Sequence, residues 1–116
     1  MWTEVCDLDT LTPDRGVAAL LDGVPVAVFR LSADVDSSHV VAVDHVDPVS
    51  GVGVMARGLV GSVGVRDVVV SPLLKQRFDL HTGECLDDPG VWLRTWPVRV
   101  ADGRVLVGGV APPAGG

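Results

Sequence analysis

No stretch of this chain keeps apolar residues at helical spacing for more than a turn or two. Short valine-rich runs are cut instead by Asp-Gly, Pro and Gly at intervals of a few residues. An amphipathic helix of ordinary length needs apolar residues at i, i+3, i+4 and i+7 across some ten positions. Residues 18–21 come nearest, but Gly16 and Gly23 bracket them too closely. Valine is stiff at χ1 and packs well on a pleated surface, so the same runs favour strands. Aspartate dominates the acids, and it favours turns over strand interiors. The pattern predicts an all-β fold of short strands and many turns, a sandwich or barrel.

The strands can be placed from their turns. Residues 2–6 read as a first strand and residues 7–16 as turn. Residues 17–21 and 24–31 flank Asp22-Gly23, the strongest short-range hairpin signal. Residues 32–38 are polar and read as a loop, followed by a strand at 39–43. From 44 to 64 glycines at 51, 53, 58, 61 and 64 break the pattern into a loop or a pair of short strands. Residues 68–70 and 78–80 read as strands. A second hairpin joins 98–100 to 104–107 through Asp102-Gly103. No internal repeat is read. Alternation predicts that Val26, Val28, Val41, Val43, Val69 and Leu106 are largely buried on one face of their strands.

At 116 residues the chain suits one domain, and 47% apolar content supplies a core without metals or disulfides. A net charge of −6 with no basic run argues against nucleic acid and against an anionic membrane as partner. No apolar run approaches the length of a membrane span and no signal peptide is read, so a cytoplasmic location is expected.

Most candidate chemistry fails on spacing. Cys6 stands far from His81 and Cys85, and His39 and His45 lack partners at metal-ligand intervals. Gly51-Val-Gly53 lacks the third glycine of a dinucleotide loop, since Ala56 stands there, and no P-loop lysine follows. Ser71 lacks the glycines of a nucleophile elbow. Asp44 and Asp47 could pair as carboxylates, though a short Asp-x-x-Asp usually caps a loop. No catalytic residue is assigned.

One arrangement is more specific. Asp44-His45-Val46-Asp47-Pro48-Val49-Ser50-Gly51, with the later Ser71-Pro72-Leu73-Leu74-Lys75-Gln76-Arg77-Phe78-Asp79-Leu80-His81-Thr82-Gly83, resembles the two cluster-binding loops of Rieske iron–sulfur proteins. That family reads Cys-Pro-His-x-Gly in the first loop. The second reads Cys-Pro-x-His, then an aromatic-Asp segment and a Thr-Gly turn. Pro48, Gly51, Pro72, Phe78, Asp79, Thr82 and Gly83 match. The four ligand positions carry Asp47, Val49, Ser71 and Leu74, which offer neither thiolate nor imidazole. Residues 2–8, 26–29, 44–51 and 71–78 carry the likeness further. With Thr82-Gly83-x-Cys85-Leu86-Asp87-Asp88-Pro89 and Pro97-Val98-Arg99-Val100, they are similar to the small subunits of assimilatory NAD(P)H-dependent nitrite reductase.

The resemblance implies a Rieske-like fold of two to three small antiparallel sheets over residues 1–107, with no iron–sulfur cluster, and a flexible tail at 108–116. It implies an accessory subunit that is not catalytic by itself. The partner would be a large subunit carrying FAD, an iron–sulfur cluster and sirohaem, which reduces nitrite to ammonium. The two loops would form an exposed tip, residues 47–51 beside 72–77, with Ser50, Lys75, Gln76 and Arg77 as partner-binding residues. Val49 and Leu74 are expected to fill the space a cluster would take, and Arg77 to fork onto a carboxylate of the partner. Two other readings stay open: a stand-alone binding module, or a cluster-free relative of the ferredoxins that serve aromatic-ring dioxygenases.

Overall fold

The computed structural model describes residues 2–32 and 39–108. Most of the loop expected at 32–38, and the tail beyond residue 108, lie outside these residues. The described residues form β1 (Trp2–Asp7), β2 (Gly16–Leu21), β3 (Val24–Arg30), β4 (Val40–Asp44) and β5 (Leu59–Val63). They continue with β6 (Arg66–Val70), β7 (Arg77–Asp79), β8 (Thr95–Trp96), β9 (Val98–Ala101) and β10 (Arg104–Gly108). Short 3-10 turns stand at Leu8–Thr10 and Met55–Arg57, and no α-helix occurs among the described residues. Residues 18–21, the nearest approach to a helical pattern, belong to β2.

Three antiparallel sheets result, ordered β1-β10-β9, β2-β3-β4-β8 and β5-β6-β7. Both Asp-Gly hairpins form. Asp22 and Gly23 take φ of 50° and 82°, and Asp102 and Gly103 take 53° and 74°. Left-handed geometry at both central residues is what the right-handed strand twist asks of a two-residue turn. Residues 44–64, read as loop or short strands, supply β5, which pairs with β6 from Leu59↔Val70 to Val63↔Arg66.

The four-stranded sheet lies between the other two. On one face Ala27, Phe29, Leu31, Val41 and Val43 pack with Met55, Val69, Phe78, Leu80, Cys85 and Leu93. On the other, Val26, Val28, Val40 and Ala42 pack with Leu11, Leu21, Trp96, Val105 and Val107. The expectation of one buried face is thereby corrected. β3 and β4 are covered on both sides, which is why they are apolar without a break from Val24 to Phe29 and from Val40 to Val43. Val26, Val28, Val41, Val43 and Val69 are buried as expected, but Leu106 is not. In β10 the inward residues are Val105 and Val107, because Leu106 opposes the polar Glu4 and Arg99. Cys6 packs against the second cluster and Cys85 lies in the first, so the two thiols sit on opposite sides of the middle sheet.

Candidate functional site

Three connections in this fold are built on one turn. In each, the first residue donates its N–H to the carbonyl five positions on and accepts the N–H four positions on. Asp47 N–H bonds Val52 O at 2.9 Å and Gly51 N–H bonds Asp47 O at 2.8 Å. Ser71 N–H bonds Gln76 O at 2.9 Å and Lys75 N–H bonds Ser71 O at 3.0 Å. Asp79 N–H bonds Glu84 O at 2.9 Å and Gly83 N–H bonds Asp79 O at 2.8 Å. The fifth residue is left-handed in all three, with φ of 75° at Gly51, 62° at Lys75 and 82° at Gly83. The first residue is buried in all three.

Side chains repeat the pattern. Asp47 Oδ1 accepts the N–H groups of Val49 and Ser50 at 2.8 and 3.3 Å. Asp79 Oδ1 accepts those of His81 and Thr82 at 2.7 and 2.9 Å. Ser50 Oγ and Thr82 Oγ1 each accept the N–H two residues on, at 3.2 Å. The sequence signal was present as Asp-x-x-Ser-Gly at 47 and Asp-x-x-Thr-Gly at 79. The reading of no internal repeat holds for domains and fails for this turn.

The first two turns meet. Ser71 Oγ donates to Asp47 Oδ2 at 2.5 Å, and neither residue has accessible surface. A Rieske [2Fe-2S] cluster takes two thiolates and two imidazoles. Asp47 and Ser71 are hard oxygen donors already bonded to each other, and Val49 and Leu74 have no lone pair. The residues present do not fit that group. A carboxylate–hydroxyl bond joins the turns instead, backed by two amides on the same carboxylate.

Val49 and Leu74 do not fill a vacated space. They are 45% and 49% exposed: positions three and four of this turn stand away from its buried first residue, as His81 and Thr82 do in the third turn. Val46, Val52 and Leu73 are exposed with them. Leu59 of β5, opposite Val70 in the register, is exposed as well.

The expected cationic residues are partly committed within the chain. Arg77 does not offer a fork to a partner, since Nε and Nη2 bond both oxygens of Asp87 at 2.6–3.2 Å and its own N–H bonds Asp87 Oδ2 at 2.8 Å. That hydrogen bonding and the guanidinium charge hold the Asp87 carboxyl below its usual range. Lys75 Nζ reaches back to Pro72 O at 2.9 Å. Gln76 Oε1 is buried and meets no donor among the described residues.

Other sequence candidates separate. Asp44 does not pair with Asp47. It accepts from Trp96 Nε1 at 2.9 Å and Arg94 Nε at 3.2 Å. His81 Nε2 lies 2.8 Å from Asp67 Oδ2 and its ring stands edge-on to His39 at 5.0 Å, while Cys85 is buried in the first core cluster. No group of three or more metal-ligating side chains gathers among the described residues. None of their helices is long and apolar enough to cross a membrane.

The family described as "Rieske-like [2Fe-2S] domain" matches residues 1–108. The small subunit of nitrite reductase (NADH) from Escherichia coli is 37% identical over 93% of this chain and 97% of its own length. A structure described as the NADH-dependent nitrite reductase small subunit of Mycobacterium tuberculosis superposes with a TM-score of 0.89 at 50% identity, covering 96% of each chain. The nitrite reductase [NAD(P)H] large subunit of Klebsiella oxytoca contains a segment 38% identical to 92% of this chain. The chain spans only 11% of that protein. The ferredoxin of carbazole 1,9a-dioxygenase from Nocardioides aromaticivorans shares the fold, with a TM-score of 0.79 at 23% identity over 95% of this chain and 99% of its own.

Proposed function

We propose, from the premise that this chain belongs to the Rieske-like [2Fe-2S] domain family and within it to the nitrite reductase small subunits, that it is the accessory subunit of an NAD(P)H-dependent nitrite reductase. It associates with a large subunit that reduces nitrite to ammonium, and it carries no electron-transfer group itself. FAD, the iron–sulfur cluster and sirohaem belong to that partner. The observation that carries this reading is the relative in which the same domain lies inside the large-subunit polypeptide. A covalent join holds two modules at one-to-one ratio and high effective concentration. Separate chains that do the same work need a surface that holds them together.

The paired turns are the surface we assign to that role. The third turn has the same backbone and carries exposed His81 and Thr82 at positions three and four. The first two carry Val49, Leu73 and Leu74 there, although the geometry asks for no apolar side chain. Exposed apolar residues on a rigid base, with Ser50, Lys75 and Gln76 at the rim, suit the centre of a protein interface. The structure thus moves the emphasis from charge to apolar contact, since Arg77 is bound to Asp87.

Changing Leu73 and Leu74 together to Asp should reduce co-purification with the large subunit at least tenfold, roughly 1.4 kcal/mol or more. Both residues are about half exposed, so the melting temperature should move by no more than a few degrees. A folded double variant that binds like the parent would place the interface elsewhere.

A further inference from the structure

His45 is the hub of the first turn. Its N–H donates to Pro25 O at 3.1 Å, and its carbonyl accepts the N–H groups of Val54 and Met55 at 3.0 and 2.9 Å. Its ring Nδ1 accepts the N–H of Ala56 at 3.1 Å. Three successive amides, 54 to 56, therefore close onto one residue. Gly53 lies against the ring, where an added Cβ would meet Cδ2 at 3.1 Å. Ala56 in turn packs its backbone against Gly16 of β2. The ring thus ties the loop of the first turn to the four-stranded sheet.

An imidazole nitrogen that accepts a hydrogen bond carries no proton. Protonation would set a ring N–H against the Ala56 N–H, and that bond would be lost. The other two amides bond a carbonyl and would stay.

We propose that His45 is an acid-operated latch on the first turn, fastening Ala56 when neutral and releasing it when protonated. Burial, and then the charge of Arg57, hold the imidazole below its ordinary value near 6.5. Of the other charged groups around it, Asp44 is turned to Arg94 and Trp96 on the β8 side, and Asp47 to Ser71. β2 holds no charged residue, and Arg30 of β3 bonds Leu8 O at the far end of its strand. The sign follows from linkage. The folded state binds fewer protons, so the stability His45 contributes is whole above pH 6.5 and is lost as pH falls through the lowered folded value. The latch rests on the docking reading for one consequence only: acid should weaken the hold on the large subunit.

Amide exchange and histidine ring shifts of the full-length chain, followed by NMR from about pH 7.5 to 4.5, test the latch. Protection of Ala56, corrected for intrinsic exchange, should fall about tenfold as the His45 ring titrates, while Val54 and Met55 stay protected. In His45→Asn a side-chain oxygen takes the place of Nδ1 and does not titrate, so Ala56 protection should stay flat. Unchanged protection in the parent chain through the ring titration would overturn the latch, whether or not the variant folds. So would an equal fall in a folded variant. If Ala56 is released as expected while co-purification with the large subunit is equal at pH 7.5 and 5.5, the latch stands and the docking assignment fails.

Discussion

Asp47→Ala is expected to lower the unfolding free energy by about 3 kcal/mol, a large part of the stability of a domain this size. The Asp47 carboxylate has no accessible surface and receives three donors: the Ser71 hydroxyl and the N–H groups of Val49 and Ser50. Alanine leaves the Ser71 hydroxyl without its acceptor in a closed interior and opens a small void beside it. The two amides are only partly buried and regain some bonding from water. Asp47→Asn keeps an oxygen for the amides, and the Ser71 hydroxyl can rotate to accept from the new NH₂, so the loss should be nearer 1 kcal/mol. Urea unfolding of the three chains measures both. A loss below 1 kcal/mol for the alanine variant would mean that this bond does not hold the two turns.

Gly83→Ala should cost on the order of 3–4 kcal/mol, the other large effect expected. Gly83 sits at φ +82°, where an L side chain is strained, and an added Cβ would lie 1.8 Å from the carbonyl oxygen of Leu93. That oxygen belongs to the residue whose N–H bonds Gly83 O at 2.7 Å, so relief of the clash breaks the tie between the third turn and the segment before β8. Gly90 separates the two causes. It also has positive φ, +95°, but an added Cβ meets nothing within 4 Å. Gly90→Ala should cost only about 1 kcal/mol, the backbone strain alone. Equal losses at the two positions would show that the close approach to Leu93 is not the cause.

Much of the architecture was legible because its signals are local. Asp22-Gly23 and Asp102-Gly103 fix two hairpins through the φ values those dipeptides accept. What was not legible depends on partners far along the chain. Residues 24–29 are apolar without alternation, so the sequence does not say that two sheets cover both faces. Leu106 stands among equally apolar neighbours, and only the pairing with Glu4 and Arg99 turns it away from the core. Strand β5 is interrupted by Gly61 and held by pairing with β6 rather than by its own propensity.

The site divides in the same way. The matching positions around Asp47 and Ser71 located the two turns correctly, as a resemblance. The residues seen there only as missing ligands proved to have a role of their own. Asp47 does for the first turn what Asp79 does for the third, and that likeness was written in Asp-x-x-Ser-Gly and Asp-x-x-Thr-Gly. The bond that joins the first two turns was not readable, because Asp47 and Ser71 stand 24 positions apart. The Arg77–Asp87 pair was not readable for a similar reason: the acceptor comes from the loop after the third turn.

We propose that this chain serves nitrite reduction as a cluster-free partner of the catalytic subunit. Its most direct test starts with the chain purified alone and incubated anaerobically with iron and sulfide. Iron is then measured, the chain is mixed with the separately purified large subunit, and NADH-dependent nitrite loss is followed. The expected result is no stoichiometric iron in this chain, no nitrite loss from it alone, and a one-to-one complex with the large subunit that reduces nitrite. A chain that loads one [2Fe-2S] cluster per molecule, or that forms no complex with a competent large subunit, would contradict it.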